Sequence, residues 1–184
     1  MKRVKTKFKD LFIYESKVYH DQRGNVREAF KKNLINNSLF LSVVSKSKKN
    51  VIRGLHFQSQ KTQDKFISVI KGKILDVVVD LRKNSRTFGK HFKIVLSENK
   101  AKYLFVPKGF AHGFLGLDKE NIVLYSCSNY RSPKYEKIIK WNDKDLKIKW
   151  GIKKPILSKR DQNAQSFADF LDRKSTRLNS SHLV

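Results

Sequence analysis

The chain has 184 residues and carries 41 Lys and Arg against 16 Asp and Glu, so its formal net charge is +25. Its single cysteine, Cys127, cannot form a disulfide within the chain, which excludes a disulfide-stapled miniprotein and predicts a cytoplasmic location. Its apolar runs are much shorter than the ~18 residues of a membrane-spanning helix, so we expect no membrane partner. This length fits one domain, which we expect over residues 1–172.

In chain order, the apolar residues mostly follow a period of two, which is typical of β-strands. A helical turn or two is predicted over Glu28 to Ile35, and a short helix over Gln165 to Leu171. The predicted strands between them lie at Leu39–Val44, Val51–Phe57, two runs within Phe66–Leu81 joined by a turn at Lys71-Gly72-Lys73, Phe92–Leu96, Tyr103–Val106, Gly113–Leu117 and Ile122–Cys127. Many short strands at close spacing favour an all-β fold, namely a jelly-roll β-sandwich or barrel with a few short helices.

The end of the chain, residues 173–184, has a different composition. It reads RKSTRLNSSHLV, without an apolar period and rich in Ser, Asn and Arg. Such a segment adds nothing to a packed core, and we expect a disordered or non-native tail outside the domain.

The positive charge comes from 31 Lys and only 10 Arg, spread along the whole chain. A dedicated nucleic-acid surface usually concentrates its basic residues on one face and favours Arg. The distribution therefore argues against a nucleic-acid partner. A field of this sign still attracts small phosphorylated substrates.

Two segments place unusual side chains at strand edges: Arg53 to Gln58, and Pro107 to Gly113. They resemble the two motifs of the cupin jelly roll, in which two His and a Glu from the first motif and one His from the second hold a metal. Here His56 and His112 remain, while Gln58 and Lys65 occupy the other two ligand positions. Because an ammonium group repels a metal ion, we expect no metal. Each of these residues alone is more often structural, but several ionisable groups in one cavity predict acid–base chemistry.

Further segments stand in order around these motifs. They are Asp21 to Gly24, Asp80 to Gly89, Asn129-Tyr130, Trp141 to Asp143 and Ile156 to Asp161. Together the segments resemble the dTDP-4-dehydrorhamnose 3,5-epimerase family, over about Phe12 to Asp161.

The resemblance implies an isomerase without cofactors. It would invert C3 and C5 of dTDP-4-keto-6-deoxy-D-glucose to give dTDP-4-keto-L-rhamnose, a step toward lipopolysaccharide, O-antigen and other cell-wall polysaccharides. The resemblance also implies a homodimer that exchanges N-terminal strands such as Leu11 to Tyr14.

Four residues match the family's catalytic positions. By this resemblance His56 is the base, Asp161 its partner, Lys65 the cation beside the developing oxyanion and Tyr125 the general acid. Without the resemblance, Tyr125 would be interpreted as a core tyrosine and Asp161 as a helix cap. The substrate-binding positions implied by the resemblance are Arg23, Glu28, Arg53, Gln58, His112 and Tyr130, with Tyr130 stacking on the base.

The chain departs from the family pattern at Leu41–Val44, Asn25 and Arg131, where the family commonly carries polar or aromatic residues. These departures bear on recognition of the nucleotide and sugar. They leave open an epimerase that acts on C3 or C5 alone. Two other classes are kept as alternatives: a basic nucleic-acid-binding module, and a jelly roll that has lost catalysis or binds a metal.

Overall fold

A computed structural model describes residues 1–35 and 39–172, so the prediction for 173–184 lies outside the described residues. Strands dominate. They are β1 (Lys2–Lys5), β2 (Phe12–Glu15), β3 (Val18–Asp21), β4 (Gly24–Arg27), β5 (Leu41–Lys48), β6 (Ile52–Gln58), β7 (Lys65–Lys71), β8 (Lys73–Asp80), β9 (His91–Ser97), β10 (Lys102–Val106), β11 (Phe110–Gly116), β12 (Glu120–Cys127) and β13 (Glu136–Ile138). The helical elements are 3-10 turns at Lys32–Leu34 and Pro133–Tyr135, the α-helix α1 at Lys159–Gln162 and a helical segment at 167–172.

The strands form two larger sheets and one hairpin. The six-stranded sheet has the order β1-β2-β10-β7-β12-β5, the five-stranded sheet has the order β13-β6-β11-β8-β9, and β3 pairs with β4. Neighbouring strands in the list are mostly distant in sequence, and every pair of named strands is antiparallel. This is the jelly-roll sandwich that the sequence predicts.

The main core lies between the two sheets. It combines Ile67 of β7 and Val123 of β12 with Val78 of β8 and Phe114 of β11, all at most 3% exposed. A second core covers the other face of the five-stranded sheet, where Trp150, Phe167 and Phe170 of the C-terminal segment pack on it. Burial of this apolar face holds the C-terminal segment against the sheet that carries the predicted base, His56.

The predicted strands from Leu39 to Cys127 are confirmed, with boundaries that shift by a few residues. The turn at Lys71-Gly72-Lys73 joins β7 to β8 as expected. The largest difference is in β11, which begins at Phe110 instead of Gly113. It pairs with β8 on one side and β6 on the other and is buried along its whole length. His112 is therefore on a central strand.

The helices differ more from expectation. The segment Glu28 to Ile35 contains only the 3-10 turn at Lys32–Leu34, because an isolated turn or two of helix is not stable by itself. The predicted C-terminal helix is present at 167–172. Helix α1 was not predicted. Within the described ranges, 1–35 and 39–172, no helix has the length and apolarity to cross a membrane.

Candidate active site

A cavity of about 520 Å³ opens between the two sheets. Its walls come from β5, β6, β7, β11, β12, β13 and α1. The lining includes predicted catalytic and binding residues, namely Arg53, His56, Gln58, Lys65, His112, Tyr125 and Asp161. Among them, His56 and Asp161 are 105 residues apart in the sequence and meet here.

His56 and Asp161 form a close pair. His56 Nε2 lies 2.7 Å from Asp161 Oδ1, with the imidazole one-third exposed and the carboxylate only 4% exposed. Burial opposes the charge on Asp161, but hydrogen bonds from His56 and Ser158 outweigh it and lower the pKa of the carboxyl. A carboxylate in this position orients the imidazole and stabilises the imidazolium that forms when the ring takes a proton.

Local sequence places Asp161 for this contact. Ser158 is the N-cap of α1, and its hydroxyl accepts from the Asp161 backbone N–H at 3.1 Å while donating to Asp161 Oδ2 at 2.7 Å. Ser158 thus fixes both the backbone and the side chain of the aspartate. The structural interpretation of the sequence made Asp161 a helix cap, but the cap of α1 is Ser158. Asp161 lies in the first turn and points its other oxygen at His56.

A second His–Asp pair lies directly beside the first. His112 Nε2 is 2.9 Å from Asp76 Oδ2, and both residues are buried. Asp76 Oδ1 has no hydrogen-bond partner among the described residues. Asp76 was missed in the sequence, although a signal exists. It shares the inward parity of Ile74 and Val78 on β8, so one carboxylate interrupts an apolar row that faces the core.

Two glycines bring the two pairs together. His56 and His112 are direct partners across β6 and β11. One pair of residues away, a Cβ on Gly54 would lie 2.6 Å from the Gly113 Cα, and a Cβ on Gly113 would lie 2.7 Å from the Arg53 carbonyl oxygen. Gly54 also has a φ of +121°. Only glycine permits this backbone approach.

Tyr125 reaches the cavity from the opposite sheet, on β12. Burial raises the pKa of its phenol above the ordinary value, outweighing the Ser45 hydroxyl and the Arg53 charge, which act in the other direction. Its ring stands edge-on to the His112 ring, with centroids 6.2 Å apart. The phenol is therefore protonated at neutral pH, as a proton donor must be.

Lys65 stands beside Tyr125 in the same sheet, since its strand β7 pairs with β12 and Lys65 is the direct partner of Cys127. Burial lowers the pKa of its ammonium group, and the nearby Cys127, Glu136 and Asp76 oppose that shift. The same burial raises the pKa of the Cys127 thiol. Lys65 thus lies in a poorly hydrated wall, where a protonated amine would act strongly on a bound ligand.

Arg53 and Gln58 are held by the protein. Arg53 donates to the Ser47 hydroxyl at 2.9 Å and to the Lys46 carbonyl at 3.0 Å. The Gln58 amide accepts from the Ser132 N–H at 2.6 Å and donates to carbonyl oxygens of two loops. Both residues line the cavity, and the contact of each with substrate stays a prediction.

The cavity opens to solvent beside an ion-pair group that we call the mouth cluster: Arg131, Glu136 and Arg160. Arg131 Nη2 and Arg160 Nη1 lie 2.8 and 2.9 Å from the same Glu136 oxygen. Burial of Glu136 opposes its charge, but the two arginines lower the pKa of the carboxyl. Neither Glu136 nor Arg160 was singled out in the sequence, because single charged residues near strand and helix ends carry no distinguishing pattern.

Three predicted substrate-binding residues lie outside the cavity lining of this chain. Arg23 pairs with Asp21 at the tip of the β3–β4 hairpin. Glu28 pairs with Lys31 and with the N-terminal amine. Tyr130 is 64% exposed and packs on Phe40. Their contact with substrate stays a prediction.

A His–Asp pair and a neutral phenol on opposite walls of one cavity define a class of protein: an acid–base enzyme that moves protons at carbon. The comparisons with known proteins agree with this class. A model of the dTDP-4-dehydrorhamnose 3,5-epimerase family matches residues 5–169. The chain therefore belongs to the dTDP-4-dehydrorhamnose 3,5-epimerase family, and it is an epimerase.

Individual relatives support the same assignment. The dTDP-4-dehydrorhamnose 3,5-epimerase of Methanothermobacter thermautotrophicus is 42% identical over 168 residues, which cover 87% of this chain and 91% of that protein. The crystal structure of a Legionella pneumophila dTDP-6-deoxy-D-glucose-3,5-epimerase in complex with dTDP-4-keto-L-rhamnose has a TM-score of 0.86 at 37% identity, covering 90% of this chain and 92% of that one. A Streptomyces bikiniensis 3'-monoepimerase in complex with dTDP-quinovose has a TM-score of 0.83 at 27% identity, covering 89% and 86%.

Proposed function

We propose that this protein inverts C3 and C5 of dTDP-4-keto-6-deoxy-D-glucose and releases dTDP-4-keto-L-rhamnose. The observation that carries the proposal is the placement of the His56–Asp161 pair and the Tyr125 phenol on opposite walls of one cavity. Inversion at carbon needs a group that removes a proton on one face and a group that returns one on the other. The two sheets supply these two faces.

His56 is the base in this proposal. Both C3 and C5 neighbour the C4 ketone, so removing a proton from either carbon gives an enolate whose charge rests on the C4 oxygen. Asp161, ionised and 4% exposed, stabilises the imidazolium that results. One base can therefore serve both carbons in turn.

Lys65 and His112 are proposed to stabilise the oxyanion. Lys65 brings a positive charge into a poorly hydrated wall, and His112 is fixed by its hydrogen bond to Asp76. Cations and donors that are already in place lower the energy of a developing negative charge without further reorganisation. This arrangement supplies electrostatic stabilisation from the chain's own residues.

Tyr125 is proposed to return the proton. Its raised pKa keeps the phenol neutral until the enolate forms. After donation, the phenolate takes a proton from solvent and the His56 imidazolium releases the abstracted proton to solvent, so that both groups are restored for the second carbon. A Tyr125 variant should therefore separate removal of the proton from net inversion.

For substrate binding, we propose Arg53 and Gln58 beside the sugar, with Arg23 and Glu28 entering from a partner subunit. The support for a partner is that Arg23 lies on a hairpin outside this chain's own cavity. Strand β2 pairs with β1 and β10 of its own chain, so the proposed strand exchange would replace these contacts with equivalent ones. We also propose that the reaction takes place in the cytoplasm, supported by the free, buried thiol of Cys127.

A single-centre epimerase is the second candidate. Two observations favour keeping it: the similarity to a 3'-monoepimerase, and the apolar wall formed by Leu41, Val43 and Val44 of β5. An apolar wall in place of hydrogen-bonding groups changes how firmly the sugar is held after the first inversion.

The test is incubation of the purified protein with dTDP-4-keto-6-deoxy-D-glucose in deuterated water, with deuterium at C3 and C5 measured by NMR. Label at both carbons with formation of the L-rhamno product is the expected result. Label at one carbon would establish the single-centre alternative. A folded protein that introduces no label would contradict the proposed function. His56→Asn is the matched control, because it keeps the size of the side chain and removes the base.

A further inference from the structure

The cavity mouth contains a planar group that was not predicted as a ligand contact. Arg131 lines the cavity, whereas its neighbour Tyr130, the predicted stacking residue, turns away and packs on Phe40 with ring centroids 5.3 Å apart. The flat surface that this chain presents to a ligand at this point is therefore the Arg131 guanidinium.

Glu136 fixes the plane of this guanidinium. Arg131 Nη2 donates to Glu136 Oε2 at 2.8 Å, and Nε donates to Oε1 at 3.4 Å. Two donors of one planar group thus meet the two oxygens of one carboxylate, an arrangement that restrains the rotation of the guanidinium. The Glu136 side chain is only 13% exposed and is also held by Arg160. Arg131 itself is 58% exposed, so much of its surface remains open.

The same pairing makes Arg131 a poor phosphate ligand. Two of its donating nitrogens, Nε and Nη2, are already used by Glu136. The features left for a ligand are an open guanidinium face and Nη1, and guanidinium faces stack well on nucleobases.

The position of the pair along the sheet fits the nucleoside end of a nucleotide sugar. On β13, Ile138 is the direct partner of His56 and Glu136 is the direct partner of Gln58. Glu136 is therefore two residues, about 7 Å, along the strand from the position of His56, the proposed catalytic base. Arg131 pairs with Glu136 and lines the same cavity, with its side chain 58% exposed. A ligand with its sugar at His56 can therefore reach Arg131 with its nucleoside.

We propose that the Arg131 guanidinium, held flat by Glu136, is the platform on which the nucleobase of the substrate stacks. This inference rests on the proposed function, since it takes the ligand to be a nucleoside-diphosphate sugar. It assigns recognition of the base to a cation that is oriented by a carboxylate. Tyr130, one residue earlier, then has no contact with the base.

The test compares two ligands by calorimetry. Thymidine 5'-diphosphate carries the base, and inorganic pyrophosphate does not. Arg131→Ala should raise the Kd for thymidine 5'-diphosphate by about tenfold, the size expected for loss of one stacked base, and leave the Kd for pyrophosphate unchanged. Arg131→Tyr should retain most of the affinity, because an aromatic ring also stacks. Arg86→Ala is the matched control, since Arg86 is an exposed arginine outside the cavity lining and its loss lowers the net charge equally.

Three results would overturn the inference. Equal losses for both ligands in Arg131→Ala would make Arg131 a phosphate contact. A large loss of affinity for thymidine 5'-diphosphate in Tyr130→Ala, with none in Arg131→Ala, would show that the nucleobase stacks on Tyr130. Failure of Arg131→Tyr to rescue a loss seen in Arg131→Ala would exclude stacking. Deuterium exchange by the wild-type protein is measured in parallel, because its absence would contradict the proposed function itself, whereas its presence with any of these results would reject only the role of Arg131.

Discussion

His56 and His112 face each other as direct partners across β6 and β11, and each imidazole is bound to its own buried carboxylate. The two pairs differ in exposure. His56 is one-third open to the cavity, whereas His112 is only 6% exposed. An open imidazole can reach a carbon-bound proton, and an enclosed one suits a fixed hydrogen-bond contact. The difference in exposure supports separate roles for the two histidines.

Asp161→Asn should lower kcat by at least about a hundredfold and change KM little, because the neutral amide no longer stabilises the imidazolium of His56. Steady-state kinetics with dTDP-4-keto-6-deoxy-D-glucose measures this. Ser158→Ala is the graded control. It removes the two hydrogen bonds of the Ser158 hydroxyl with Asp161, one to the carboxylate and one from the backbone N–H, but keeps the carboxylate, so it should cost less. A wild-type kcat in Asp161→Asn would contradict the role of the pair.

Tyr125→Phe should separate exchange from inversion. His56 can still remove and return a proton on its own face, so deuterium should enter the recovered substrate while the inverted product forms much more slowly. NMR of both species in deuterated water measures the two rates. Unchanged inversion would remove Tyr125 from the mechanism. His56→Ala should abolish both processes.

The alkaline side of the pH–rate profile should report Lys65. Burial lowers the pKa of this ammonium group, so catalysis that needs the cation is lost at a lower pH than for a free lysine. Asp76→Asn removes a negative charge that favours the cation, and the loss should move to still lower pH. The pKa of the Tyr125 phenol is shifted in the opposite direction, so the phenol ionises at a higher pH than a free tyrosine. An alkaline limb that does not move in Asp76→Asn would contradict this assignment. Thermal unfolding of the variant checks that the fold is intact.

Asp80 should govern stability at low pH. Burial alone would raise its pKa, but hydrogen bonds from Arg82, Ser85 and Thr87 outweigh burial and lower the pKa to about 2. Because the folded-state pKa is depressed, the stabilisation is complete above the unfolded value of about 4 and is lost as the pH falls toward 2. Asp80→Asn should cost about 3 kcal/mol at neutral pH, since it leaves Arg82 without its buried partner. Urea unfolding at neutral and acidic pH measures both effects.

The control for Asp80 is Glu120. Its pKa is also lowered to about 2, first by Lys46 and then by Lys71, but its side chain is 32% exposed and both lysines are more exposed still. Glu120→Gln should have little effect on stability at neutral pH, because exposed ion pairs contribute little. Equal losses in the two variants would show that burial of the Asp80 network is not what matters.

Gly113→Ala should disrupt the site through the backbone. The added Cβ would lie 2.7 Å from the Arg53 carbonyl oxygen, so β6 and β11 must separate at the position next to His112. Lower stability and lower kcat should appear together. The control is Gly151→Ala, where no atom lies within 4 Å of the added Cβ, so that only the strain of its positive φ remains. A Gly113→Ala enzyme with wild-type stability and rate would contradict the close approach.

The strands could be predicted because a sheet with one face in the core imposes a period of two on the sequence, as at Ile74, Asp76 and Val78. The same period places Asp76 on the core-facing side of β8. The role of this carboxylate cannot be recognised, however, until the pairing of β8 with β11 places its partner, His112. Strands β1, β3, β4 and β13 were missed because they are short and rich in charged and polar residues. The His56–Asp161 contact came from the family resemblance, since nothing local links two residues 105 positions apart.

The mouth cluster shows the limit of sequence analysis most clearly. Arg131, Glu136 and Arg160 come from a loop, a strand and a helix, and each alone is an ordinary surface charge. Only the packing of α1 beside β13 brings Arg160 to Glu136. The resemblance pointed to the aromatic residue Tyr130, and side-chain packing on Phe40 determined which of two adjacent residues lines the cavity.

The dependence of His56 on Asp161 has a consequence for the C-terminal part of the chain. The jelly-roll strands are complete by Ile138, but the carboxylate that pairs with His56 is supplied by α1, near the end of the described chain. The site is therefore complete only when the C-terminal segment is docked on the five-stranded sheet through Trp150, Phe167 and Phe170. A chain truncated before Asp161 would lose the partner of His56 and, with Phe167 and Phe170, part of the second core. The same segment thus contributes both to the stability of the fold and to the active site.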